Sequence, residues 1–214
     1  MMISEKSEVA SELEDGLRLS LVSADEVPAP AVFLSGYELE KLASFKIEKR
    51  RRDWLGGRYA AKLLIKEAFS RDMALSATEI SYDPFGRPRA SLVKTGAKAE
   101  AGSCLLSITH SGPFCAAACA GEGAVFLGID LEKVEPRATA WYKDYFHEAE
   151  LAGKPDPAGQ PLCDIATRRW TQKEALLKAL GLGLKADPLD INMAGETPAF
   201  SRAAAARYEE LGRP

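Results

Sequence analysis

Val125-Phe126-Leu127-Gly128-Ile129-Asp130-Leu131-Glu132 is an apolar run that closes on two acids. In a strand the side-chain period of two puts Asp130 and Glu132 on one face, with Leu127, Ile129 and Leu131 on the other. The run therefore reads as a buried strand whose end presents paired carboxylates. Two acids merely facing water is the plain alternative. Against it, Asp is disfavoured within strands, and this pair stands where the apolar run stops. Further on, Trp170-Thr171-Gln172-Lys173-Glu174-Ala175-Leu176-Leu177-Lys178 reads as a helix with Glu174 and Lys178 four apart on one face. A solvated Glu-to-Lys pair would stabilise such a helix by only about 0.2–0.5 kcal/mol. Glu174, however, borders the apolar stripe of Trp170, Leu176, Leu177 and Leu180, and Lys173 falls inside it, which predicts a polar group packed there. If the strand end meets this helix, three carboxylates and an ammonium converge. Such hard oxygen ligands suit Mg2+ shared with substrate phosphates.

Outward from these segments the pattern is mixed. Leu17–Val22 reads as a strand, Tyr37–Phe45 and Arg51–Phe69 as helices, and Glu79–Tyr82 as a strand. Asp83-Pro84-Phe85-Gly86-Arg87-Pro88 is a turn by its Gly and Pro content. Residues 94–103 read as a polar loop. Three short apolar stretches bounded by turn residues follow as strands: Cys104–Thr109, Phe114–Ala120 and Val125–Glu132. Trp141–Phe146 and His147–Ala152 turn helical, a loop spans Gly153–Pro161, and a long helix covers Cys163–Leu180 with Gly181 as its cap. Leu189–Met193 reads as one more strand. The order predicts an α+β fold in two similar halves, with a disordered N-terminus over 1–16, a first half over 17–121 and a second over 122–214.

The chain has 214 residues, 46% hydrophobic and 28% charged, with a formal charge of -3. That balance excludes a global field drawing it to nucleic acid or an anionic membrane. No apolar run approaches a membrane span. The acidic, polar start has neither the basic nor the apolar part of a signal peptide, so a cytoplasmic protein is expected. Cys104, Cys115, Cys119 and Cys163 lack zinc spacing and read as free thiols.

Two weaker signals are cationic. Arg50, Arg51 and Arg52 open a helix that also carries Arg58; Arg50 and Arg58 lie close to whole turns apart and could grip one phosphate. Such cations at a helix start oppose the macrodipole, which argues for a functional reason. His110 follows an apolar strand and precedes a Gly-containing turn, a place where a hydrogen-bonded structural histidine is equally natural. Gly181-Leu182-Gly183 ends a helix and so is not a phosphate loop.

Together, Phe85-Gly86-Arg87-Pro88, Ser107-Ile108-Thr109-His110-Ser111, Gly128-Ile129-Asp130-Leu131-Glu132 and Trp170 through Lys178 resemble the 4'-phosphopantetheinyl transferase superfamily, in its larger single-chain form. They occur in the family's order, and the resemblance runs from about Leu17 to Met193. It implies a pseudodimer that transfers 4'-phosphopantetheine from coenzyme A to a serine of an acyl or peptidyl carrier protein, releasing 3',5'-ADP. By position, Asp130, Glu132 and Glu174 would hold Mg2+, with Glu174 or Glu132 as base and Lys178 at the leaving phosphate. Arg50, Arg58, Arg87 and His110 would hold the CoA phosphates, and Gly86, Pro88 and Thr109 would line the nucleotide pocket. One chain would then form one complete site and act as a monomer, with no nucleic-acid or membrane partner. Two departures stand out. Arg87 replaces the lysine of many members, and the short helix over Arg202–Gly212 stands where further strands usually return, so the second sheet is expected to be incomplete. A non-catalytic CoA- or carrier-binding remnant of the family is the alternative.

Overall fold

A computed structural model describes residues 11–12, 16–69, 72–94, 97–100, 104–121, 123–152 and 162–214. The expected N-terminal disorder falls almost wholly outside these residues, as does the loop expected over Gly153–Pro161. The chain divides into two compact units, Met1–Leu127 and Gly128–Pro214.

In the first unit, β1 (Ser11–Glu12), β2 (Leu17–Ser23), β6 (Leu105–Ser111) and β7 (Phe114–Ala120) form an antiparallel sheet in the order β1-β2-β7-β6. The register pairs Leu21 with Ala116 and Ile108 with Ala117. A tight turn at Gly112 and Pro113 joins β6 to β7, with Gly112 at φ +60, a conformation that costs glycine no Cβ clash. Across the sheet lies α3 (Glu48–Phe69), whose Ala60, Ala61, Leu64 and Ile65 are fully buried with Val22, Leu106 and Ala117. The helix sits close because two positions lack side chains. A Cβ on Gly56 would fall 2.4 Å from the Cys115 sulfur, and one on Gly57 would fall 2.8 Å from the Ile108 side chain.

A second antiparallel sheet, β3 (Thr78–Tyr82), β4 (Pro88–Lys94) and β5 (Ala97–Glu100), completes the unit. The polar stretch expected as a loop thus contains a strand, because β4 offers it a free edge to pair with. Near this sheet, α1 (Pro30–Phe33) and α2 (Gly36–Ala43) pack Phe33, Leu34 and Leu42 against the Trp54 side of α3.

The second unit holds α4 (Thr139–Tyr145), α5 (Glu148–Leu151), α6 (Leu162–Leu180), the short pair β8 (Ile191–Asn192) and β9 (Ala199–Phe200), and α7 (Arg202–Glu210). The strand expected over Val125–Glu132 does not form. Residues 124–138 join no ladder with a described strand, and a strand exists only through such hydrogen bonds. Leu189–Met193 likewise shortens to β8, after a 3-10 turn at Pro188–Asp190 whose Asp187 carboxylate accepts from the Leu189 N–H. The fold is mixed α and β, with its larger sheets in the first unit.

Candidate active site

Without a strand ladder, the backbone around Gly128 is positioned by a helix. A Cβ on Gly128 would lie 1.9 Å from the Ala175 carbonyl oxygen and 2.9 Å from the Ala179 nitrogen. Only glycine allows this approach. The small residues Ala175 and Ala179, four apart on α6, provide the groove. With the segment flush on the helix, the Lys178 ammonium donates to the Asp130 carboxylate at 2.7 Å and to the Ile129 carbonyl at 3.2 Å.

The two acids of the segment have separate cations. Asp130 is held by Lys178. Glu132 receives Arg137 at 3.4 Å and a hydrogen bond from the Trp170 side chain. Burial raises the Glu132 carboxyl above its ordinary range, and Asp130 adds to the rise against the opposing pull of Arg137. Glu174 is 9% exposed, and its Oε1 is buried with no hydrogen-bond partner. Burial, followed by the charges of Asp130 and Glu132, pushes its carboxyl up to about 7 against the pull of Lys178. The structure therefore brings together Asp130, Glu132, Glu174 and Lys178, and leaves Glu174 as a carboxylate that exchanges its proton near neutrality.

Arg137 is the residue of this cluster that sequence reasoning missed. Its signal was faint: a cation five residues beyond Glu132, followed by Trp141. The polar partner expected for Lys173 is found. Lys173 is fully buried, 2.8 Å from Glu150 and 2.9 Å from the Tyr145 carbonyl. Glu150 also accepts from the His147 and Met193 N–H groups, so this pair ties α5, α6 and the chain after β8 together.

In the first unit, Arg50 and Arg58 differ in burial. Arg50 is exposed, whereas Arg58 is 3% exposed, stacked against Trp54 and Tyr82 and bonded to the Tyr82 hydroxyl and the Ile80 carbonyl. Arg58 also faces Glu38, the buried partner of Lys62. The Arg58 guanidinium is thus packed in the core. Arg87 is bonded through Nε to Asp83 at 2.9 Å in the turn where Gly86 adopts φ +82, and Pro88 opens β4. Burial alone would raise the Asp83 carboxyl, but hydrogen bonds from the Arg87 backbone and side chain hold it below its ordinary value. Thr109 is buried on β6. The half-exposed His110 lies 3.7 Å from Asp53, which also receives Lys49 at 2.7 Å. Lys49 and Asp53 were not singled out from the sequence, although their spacing of four on a helix is the pattern of such a pair.

Residues 126–210, nearly the whole second unit, match the family model described as the 4'-phosphopantetheinyl transferase superfamily. That match covers well under half of the chain, and it is the second unit that is similar to the 4'-phosphopantetheinyl transferase superfamily. A phosphopantetheinyl transferase from Thraustochytrium is 25% identical over 160 residues, 69% of this chain and 52% of that protein. An L-aminoadipate-semialdehyde dehydrogenase-phosphopantetheinyl transferase from Schizosaccharomyces pombe is 34% identical over 74 residues, 33% of this chain and 29% of that one. The chain thus spans about half the length of the first of these relatives. Among solved structures, a holo-(acyl-carrier-protein) synthase from Bacillus anthracis in complex with CoA (3',5'-ADP) covers 49% of this chain and 93% of its own, at 19% identity and a TM-score of 0.40.

Proposed function

We propose that this chain is a member of the 4'-phosphopantetheinyl transferase superfamily and transfers 4'-phosphopantetheine from coenzyme A to a serine of an acyl or peptidyl carrier protein, with Mg2+. The observation that carries the reading is Glu174. It is a buried carboxylate with an orphaned oxygen, pushed up to about 7, beside Asp130, Glu132 and Lys178. The donors are all hard oxygens and fit Mg2+, although among the described residues no group of three acids, histidines or cysteines is already gathered about one point. Asp130, Glu132 and Glu174 would hold the ion, which when bound neutralises pyrophosphate charge.

In the transfer, the serine hydroxyl attacks the phosphorus that carries the pantetheine arm, and the bond to the bridging oxygen of 3',5'-ADP breaks. Glu174 takes the serine proton. The Lys178 ammonium stabilises the charge that develops on the leaving phosphate. In the first unit, Arg50, Arg58, Arg87 and His110 would hold the CoA phosphates, with Gly86, Pro88 and Thr109 alongside.

Incubating the protein with CoA, Mg2+ and a panel of apo carrier proteins tests the reading. Intact mass should show the phosphopantetheine adduct, and Glu174→Gln should lower turnover by about two to four orders of magnitude, the usual range for a removed general base. Folded protein that modifies no carrier would refute the activity. A full rate from Glu174→Gln would remove Glu174 from the mechanism.

A further inference from the structure

Arg137 stands at the edge of the acidic cluster in an unusual bonding state. One terminal nitrogen is 3.4 Å from Glu132 and the other 3.3 Å from Glu135, while the guanidinium lies 5.5 Å from the centre of the Trp141 ring. Its Nε is buried without a hydrogen-bond partner. The fork is thus shared between two acids through long contacts, the one to Glu132 a hydrogen bond of 3.4 Å, in contrast to the 2.7 Å bond between Lys178 and Asp130. Trp141 supports the guanidinium whichever acid it favours.

We propose that Arg137 is the resident counterion of Glu132 and competes with the divalent cation for that carboxylate, shifting toward Glu135 when the cation binds. This rests on the reading of Asp130, Glu132 and Glu174 as the cation site. Three features support it. Glu132 lies in one cluster with Asp130 and Glu174, and Lys178 is bonded to Asp130, so the acids call for further positive charge. Arg137 supplies that charge at a distance long enough to break cheaply. Glu135, 41% exposed, offers the guanidinium a second seat within the same reach. Arg137 therefore weakens cation binding while offsetting the mutual repulsion of the acids.

Calorimetric titration with Mn2+ in the absence of CoA reads the competition without any turnover. Arg137→Met keeps the stem over Trp141 and removes the charge, and should bind Mn2+ about three- to tenfold tighter than the parent chain, the scale of one partly exposed ion pair. Arg137→Lys, which keeps the charge, should stay within about twofold of the parent. Glu135→Gln, an exposed change that leaves packing alone, removes the second seat and should weaken binding. The tightening should vanish when Arg137→Met is combined with Glu132→Gln. Equal or weaker binding by Arg137→Met, or no change in Glu135→Gln, overturns the competition while leaving the proposed function standing. A parent chain that transfers phosphopantetheine with Mg2+ but binds no Mn2+ alone would also overturn it. Absence of both binding and transfer would overturn the proposed function as well.

Discussion

At the residue scale, Glu174 and Lys173 are neighbours on one helix with opposite fates. Lys173 is a cation in the core, where burial pushes its ammonium down and Glu150 works the other way. Its partners satisfy it, so it reads as structural. Glu174 is buried, with Asp130 and Glu132 nearby, so its proton is held more tightly in the folded chain than in the unfolded one. The folded carboxyl at about 7 lies above the ordinary 4.5, which fixes the sign of its effect on stability. Its contribution is intact below the unfolded value and is lost as pH rises from about 4.5 through 7. Glu174→Gln carries no ionisable proton and escapes this loss. In metal-free buffer, urea midpoints of the variant and the parent should draw apart between pH 5 and pH 8, with the variant the more stable at pH 8. A constant gap across that range would show that Glu174 is not desolvated as described. The sequence revealed that both side chains border the apolar stripe, but not which one is functional. That difference depends on Glu150 for one and on Asp130 and Glu132 for the other, contacts made far away along the chain.

At the element scale, the contact between the Gly128 backbone and α6 decides the geometry of the acids. The helix was legible because its 3.6-residue period, its apolar stripe and the Gly181 stop are local properties. The strand assigned to Val125–Glu132 was not decidable locally, since alternation tells which way side chains point while a ladder needs a partner. The period-two reading nevertheless brought Asp130 and Glu132 toward one site, because an extended backbone alternates its side chains with or without a partner. Gly128→Ala should push the segment off Ala175 and Ala179, lengthen the Lys178 to Asp130 bond, and cost about 1–3 kcal/mol as overpacking does. The urea midpoint measures the cost, and the carrier-modification rate should fall with it. An alanine variant of parental stability and rate would show that the close approach to α6 does not matter. Arg58 teaches the same lesson from α3. Its helical spacing from Arg50 was correctly read, yet Trp54 and Tyr82 enclose it, and Tyr82 comes from another element.

At the scale of the whole molecule, the thiols report on the packing of the first unit. Burial, with Asp53 as a further cause, pushes the Cys115 thiol up to about 11, and burial with Cys104 beside it pushes Cys119 up to about 11. Cys104, Cys115 and Cys119 are buried, and Cys163 on α6 is only partly so. A thiol reagent at pH 8 should therefore label Cys163 far faster than the other three, and all four in denaturant. Rapid labelling of Cys115 in native protein would contradict the close seat of α3 on its sheet. The sequence by itself determined the α+β class, most of the helices and strands of the first unit, and the four acid and lysine positions of the second unit's cluster. Each of these follows from periodicity or spacing along a short stretch. The tertiary structure alone decided that Arg58 is buried while Arg50 is exposed, and that Gly128 rests on a helix. It also decided that Arg137 serves Glu132 and that Glu174 keeps an unpaired oxygen. These are properties of burial and electrostatics, set by groups brought together from distant positions, and no local pattern encodes the distance between them.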